Sequence, residues 1–201
     1  SRDGQSIAFV AHEMDKDRGG RLILYSVRIS TGVVTTLVTK GGAAHPSWSP
    51  DGEWIVFAGG GYAEVVDASG GQRRRLTVGD ARHVPAWSPD GSTIAYIRGD
   101  HDIYLVNSDG DARETVGVFP GVRLGDLSWY PTGKALLFTS TVGGVRRISR
   151  VDVDGSNVEA IAETRDGRFG RPAVYIPTLG RARRWSAPLP WGVLKQATEG
   201  R

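Results

Sequence analysis

The 201-residue sequence predicts an all-β fold, a β-propeller built from four-stranded antiparallel blades. Three observations predict it. The stretch His45 to Gly60, HPSWSPDGEWIVFAGG, nearly repeats at Val84 to Gly99, VPAWSPDGSTIAYIRG. The Asp-Gly of that motif recurs at Asp3-Gly4, Asp51-Gly52 and Asp90-Gly91, with Thr132-Gly133 as a fourth form, at spacings of 48, 39 and 42 residues. Each unit also has a second half that reads strand, small-residue turn, strand: LYSVRISTGVVTTLV, AEVVDASGGQRRRLT, DIYLVNSDGDARETV and RISRVDVDGSNVEAI. A period of about forty residues holding four strands is the signature of a propeller blade.

Within the unit, Pro46-Ser47-Trp48 reads as a short strand. Ser49-Pro50-Asp51-Gly52 fits a tight turn, with proline presetting φ at the second corner. Trp54, Val56 and Ala58 then point one way and Ile55 and Phe57 the other, which is strand periodicity. About four blades are recognisable, at residues 1–40, 41–79, 80–119 and 120–164. The first begins inside its turn and lacks an innermost strand. The fourth reads LSWYPTGKALLFTST, with Trp129 matching Trp48 and Trp87.

The run W-S-P-D-G-x-x-I-A-F, then I-Y, D-G and L-T, resembles the WD40-like (PD40) repeat of the TolB family. The same repeat occurs in the propellers of prolyl-oligopeptidase-type peptidases. The resemblance covers residues 1–163, with a weaker echo to about 180. Tyr130 and Thr132 depart from it, standing where serine and aspartate are usual. Such propellers often close by taking a strand from the other terminus, and RPAVYIP, residues 171–177, carries the innermost-strand pattern. Pro172 aligns with Pro46 and Pro85. Three closures stay open: a ring of four blades completed by 171–177, completion by a second copy, and part of a six- or seven-bladed ring.

Composition agrees with a hairpin-rich domain: 39% hydrophobic residues, 28 Gly and 10 Pro. No apolar stretch approaches the 18 residues of a membrane-spanning helix, and no signal peptide is read in this chain. Cysteine is absent, which excludes disulfides, thiolate zinc and a cysteine nucleophile and fits the bacterial periplasm or exterior. The net charge of +3 reflects an arginine-rich composition, as in a GC-rich bacterial genome, rather than phosphate binding.

The sequence holds no Gly-x-Ser-x-Gly elbow, no His-Glu-x-x-His, no phosphate loop and no dinucleotide fingerprint. The acidic loop His12 to Gly20 begins like a calcium loop. It fails where Gly19 and Ser26 replace ligands, so a solvated hairpin loop is expected. Asp152-x-Asp154-Gly155 and Asn107-x-Asp109-Gly110 are expected to cap their own backbone. Trp48, Trp87 and Trp129 are expected to fill the space between blades.

The residues leading into the innermost strands are expected to ring one mouth of the central channel. His45, His83, Arg82, Asp126 and Arg171 would gather there as a polar funnel. The resemblance adds that two His and one Asp could hold a metal, as in TolB-like pectate-fragment lyases, but further ligands are not found; no metal or cofactor is expected. Arg73-Arg74-Arg75 is expected on an outer edge strand, where charge discourages edge-to-edge pairing. The tail 181–201, rich in Arg, Trp and Pro, is expected to pack on the propeller or to serve as a linker.

The expected function is a non-catalytic, protein-binding propeller acting outside the cytoplasm. Its channel mouth would meet a protein or peptide partner, with nucleic acid not expected. The resemblance supplies the precedent, since TolB proteins bind a peptidoglycan-associated lipoprotein by such a mouth. The alternatives are the gating propeller of a prolyl-oligopeptidase-type peptidase and a degraded TolB-like lyase or carbohydrate-binding propeller.

Overall fold

A computed structural model describes residues 1–15, 19–77, 83–111, 113–165 and 172. Among the described residues, fifteen strands form four antiparallel sheets. Sheet one holds β1 (Ser6–Asp15), β2 (Gly19–Arg28) and β3 (Val34–Val38). Sheet two holds β4 (Ala44–Trp48), β5 (Trp54–Gly59), β6 (Tyr62–Asp67) and β7 (Arg73–Arg75). Sheet three holds β8 (His83–Trp87), β9 (Thr93–Arg98), β10 (Asp102–Asn107) and β11 (Arg113–Val118). Sheet four holds β12 (Arg123–Trp129), β13 (Ala135–Val142), β14 (Val145–Asp152) and β15 (Glu159–Thr164). Strands follow one another in sequence order within every sheet, which is the up-and-down connectivity of propeller blades.

Period-two alternation builds the core. Ile55, Phe57 and Val66 of sheet two pack against Leu24, Leu37, Val38 and Ala43. The residues between them, Val56 and Val65, pack the other way with Ala63 and Leu76, against Trp87, Ile94, Tyr96 and Val106 of sheet three. The third layer joins Ala95, Ile97, Ile103 and Leu105 to Leu124, Leu127, Leu136, Phe138 and Val151. Sheets two and three are thus buried on both faces, so their strands read as nearly continuous apolar runs.

Sheet one has no innermost strand among the described residues, and β1 is its edge. The expected closing strand, 171–177, lies outside the described residues except for Pro172. That residue is buried, and its carbonyl accepts a hydrogen bond from Ser128 Oγ of β12. The tail 181–201 also lies outside. The loop expected from His12 is instead mostly strand: β1 and β2 stay in register from Ser6↔Arg28 to Asp15↔Gly19. They are 10 residues long, against 6 for β5, β6, β9 and β10, so this hairpin overhangs its neighbours.

The arginine run on β7 does more than keep an edge soluble. Arg73 pairs with the buried Glu64 at 2.7 Å and donates to the Lys40 carbonyl at the end of the sheet-one unit. Arg74 points to the opposite side, donating to the carbonyls of Ser108 and Asp109 in sheet three at 2.7 and 2.8 Å. Both guanidinium groups lie 5.4 Å from ring centroids, Phe57 for Arg73 and Trp54 for Arg74. A short edge strand therefore staples its sheet to both neighbours.

Two stability losses follow. Arg74→Ala should cost about 1–3 kcal/mol, as charge-assisted hydrogen bonds do, and Arg74→Lys should restore little because lysine lacks the planar fork. Trp87→Ala should cost about 3–5 kcal/mol through lost burial and a cavity. Urea melts of the purified variants measure both.

Candidate functional site

The innermost strands β4, β8 and β12 lie side by side and run from one channel mouth to the other. Each ends in the repeated turn. At Ser49-Pro50-Asp51-Gly52 the Gly52 amide donates to the Ser49 carbonyl at 3.1 Å, with Gly52 at φ +78°, a value glycine adopts without strain. The Ser49 hydroxyl donates to Asp51 and accepts from the Trp54 amide at 2.9 Å, while Asp51 also accepts from the Glu53 amide. Ser88 and Asp90 repeat the pattern with the amides of Thr93 and Ser92. Ser1 and Asp3 repeat it again with Ser6 and Gln5. In the fourth copy the Gly133 amide still donates to the Tyr130 carbonyl, at 2.9 Å. Tyr130 and Thr132 leave out the hydroxyl–carboxylate link. The turn geometry thus survives loss of part of its bonding.

The serine hydroxyl, then the local amides, holds Asp3, Asp51 and Asp90 below the usual carboxylate range. Asp67, in the turn between β6 and β7, accepts from the Ser69 hydroxyl and from the amides of Gln72, Gly71 and Ser69, and is pulled down to about 2. Asn107 and Asp154 likewise accept local amides, those of Asp111 and Ser156. Among the described residues no cluster of three His, Asp or Glu is placed to hold a metal ion.

Around these turns lies a cavity of about 440 Å³, lined by Trp48, Trp87, Trp129, Pro50, Pro89 and neighbouring residues of the same turns. All three indoles join interblade layers. Trp129 Nε1 donates to the Ala86 carbonyl of the adjacent sheet at 2.9 Å, whereas the N–H groups of Trp48 and Trp87 are buried with no acceptor. The repeat predicts these residues as filler between blades; the cavity that they also line is not predicted by it. Identical Trp and Pro positions in three units were the available signal that their turns meet at one mouth.

At the opposite end of these strands lie three of the five predicted funnel residues, His45, His83 and Asp126. Each innermost strand bulges there, two residues facing one: His45 and Pro46, Val84 and Pro85, Gly125 and Asp126. A bulge re-aims side chains at a strand end. His45 is exposed, at φ +52°. His83 opens β8 opposite Ile97, one step before its bulge. Asp126 is part-buried, and its amide donates to Thr139 Oγ1 at 2.8 Å. The structure therefore places His45, His83 and Asp126 at the same end of three adjacent strands, with no hydrogen bond or ion pair between His45 and Asp126. Arg82 and Arg171 lie outside the described residues. Of the remaining histidines, His12 pairs opposite Leu22 on the overhanging hairpin. His101 is tied to the Val122 carbonyl through Nδ1 at 2.7 Å.

Because the folded pKa of each turn aspartate is lowered, its contribution is complete above the ordinary value near 3.8 and is lost as pH falls through the folded value. Thermal midpoints should hold down to about pH 4.5 and drop between pH 4 and 2; Asp67→Asn should flatten the lowest part of that drop. Ser88→Ala, which removes a buried hydroxyl with two partners, should cost about 1–2 kcal/mol at pH 7.

Comparison with known proteins then places the chain. The sequence model of the lipoprotein LpqB beta-propeller domain matches residues 1–164. No curated protein sequence matches. Among solved structures, a protein assigned as TolB from Agrobacterium tumefaciens superposes with a TM-score of 0.68 at 25% identity, over 80% of this chain and 62% of that one. TolB from Acinetobacter baumannii gives 0.65 at 22% identity, over 81% and 42%. An oligogalacturonate lyase from Vibrio parahaemolyticus gives 0.54 at 13% identity, over 80% and 49%; at those identities the last two speak for the fold alone. The chain spans less than two thirds of the length of each of these structures. The repeated turns, the interblade layers and the match across residues 1–164 together make the chain a member of the lipoprotein LpqB beta-propeller domain family.

Proposed function

We propose that this propeller is a non-catalytic binding module that acts outside the cytoplasm and presents the bulged mouth of its channel to a protein or peptide partner. The observation that carries the reading is the alignment of His45, His83 and Asp126 at one end of three adjacent strands. These positions come from separate units of a rigid scaffold, which is where such folds place recognition. Membership of a lipoprotein propeller family and likeness to a TolB-type structure support an envelope location. A carbohydrate-binding reading would use the tryptophan-lined cavity, but those indoles are packed into the interblade layers, Trp87 with only 8% of its surface exposed. That leaves little aromatic face for a sugar.

A photo-crosslinking residue at position 45 or 126, introduced into the protein in cells, should label one envelope protein. The same residue at position 161, on the exposed outer strand β15, should not. Replacing His45, His83 and Asp126 together by Ala should abolish the labelling and leave the melting temperature within a few degrees. Since imidazole changes charge near neutrality, labelling should also change between about pH 5.5 and 7.5. Equal labelling from position 161, or labelling indifferent to the triple substitution, would place the binding surface elsewhere.

A further inference from the structure

Sheet one departs from the repeat on the side that faces sheet two. At four matching positions sheet two carries Trp54, Val65, Asp67 and Arg74, and sheet three carries Thr93, Leu105, Asn107 and Glu114. Sheet one carries Ser6, Ser26, Arg28 and Thr35. Small hydroxylated side chains thus stand where sheet two places an indole, a valine and a long arginine. A cation stands where the other three units have Asp or Asn. The consequence is a cavity of about 470 Å³ between sheets one and two, lined by these four residues and by Asp3 and Asp51 of the repeated turns. The matching place on sheet three, lined by Thr93, Leu105, Asn107 and Glu114, holds about 120 Å³. Small-molecule sites span roughly 300–1,000 Å³, so only the first of the two is of that size. Ile7 and Val27 belong to the other side of the hairpin, where Ile7 is 52% exposed.

Much of the polar lining is not used by the fold. Ser26 is 8% exposed, and its hydroxyl has no hydrogen-bond partner among the described residues. A buried hydroxyl is normally paired; this one lines open volume. The Ser6 and Thr35 hydroxyls and the Arg28 guanidinium are equally unengaged among the described residues. Asp67, Asn107 and Asp152, which hold the place of Arg28 in the other units, are instead bonded within their own turns. Asp3 and Asp51 give Oδ1 to their turns and leave Oδ2 to accept from a ligand. We propose that this cavity binds a neutral sugar. Sugar hydroxyls both donate and accept. The two carboxylates accept from them, the guanidinium donates to them, and the Ser and Thr hydroxyls do either. An anion would face Asp3 and Asp51, and a cation would face Arg28, so like charges meet in both cases. The proposal needs no stacking on Trp48, which also lines the cavity, and it is independent of the bulged mouth at the other end of the strands.

The test is a titration of the isotope-labelled full chain followed by amide NMR. Glucose, galactose, mannose and N-acetylglucosamine are the probes, with galacturonate and inorganic phosphate as anionic controls. At least one neutral sugar should shift the amides of Ser26, Arg28 and Thr35 saturably and leave that of His45 unmoved. The anions should shift none of them. Ser26→Val, which copies Val65 of sheet two, should fill the cavity. It should weaken binding by about tenfold or more, the scale of a lost hydrogen bond, with the thermal midpoint unchanged or higher. Arg28→Asp, which copies Asp67 at an exposed position, should weaken binding as well. Ile7→Ala, on the other side of β1, should leave it unchanged. Silence from all four sugars would overturn the proposal. So would equal shifts from galacturonate or phosphate, or binding that survives both Ser26→Val and Arg28→Asp.

Discussion

The burial of each sheet against its neighbours, on both faces in sheets two and three, is the constraint from which the rest of this propeller follows. The apolar side chains of each sheet are buried by the neighbouring sheet, so each one depends on its neighbours. Alternation along β5 sends Ile55 and Phe57 to one neighbour and Val56 to the other, and the same division recurs along β9. This coupling explains why substitution within a layer acts on two sheets at once. It also explains why the outer strands can be polar and short: β7 is three arginines, because the layers lie inward of it.

Hydrogen bonds then fix what the apolar layers leave loose. Ser49, Ser88 and Ser1 each use one hydroxyl to join a turn carboxylate to an amide of the following strand. Their acidic partners are thereby consumed locally and are poor candidates for chemistry. Arg73 and Arg74 tie the outer edge of sheet two to both flanks. The innermost strands are held at the turn end by these cassettes and bulge at the other end. At the bulged mouth, among the described residues, the side chains of His45 and Asp126 make no hydrogen bond, and the Asp126 amide is held by Thr139.

Much of this was legible in the sequence, because the signals were repeated. The Trp-Ser-Pro-Asp-Gly units placed the turns, period-two alternation placed β5, and the repeat carried the same strand to β9 and β13. The register of Ile55, Ile94 and Leu136 could be read by aligning the units. Features peculiar to one unit were less legible. The overhang of β1 and β2 hides in His12 to Asp15, where polar residues look like loop, although cross-strand pairing carries the ladder through them. The stapling role of Arg73 and Arg74 depends on carbonyls more than thirty residues away, which no local pattern reports. The expected funnel residues follow from counting back from Pro46, Pro85 and Leu127 in the aligned units. That count could not show that the bulge in β12 begins one residue earlier relative to its tryptophan than in β4 and β8.

The central claim is that equivalent positions of the repeat differ in energy only through what covers them. The direct measurement is equilibrium unfolding of four variants, Ile7→Ala, Ile55→Ala, Ile94→Ala and Leu136→Ala. The three residues buried between sheets should each lose about 2–5 kcal/mol, whereas Ile7→Ala should lose less than about 1 kcal/mol. Four equal losses would contradict the account, since they would mean that the face of sheet one is as well packed as the layers between the sheets.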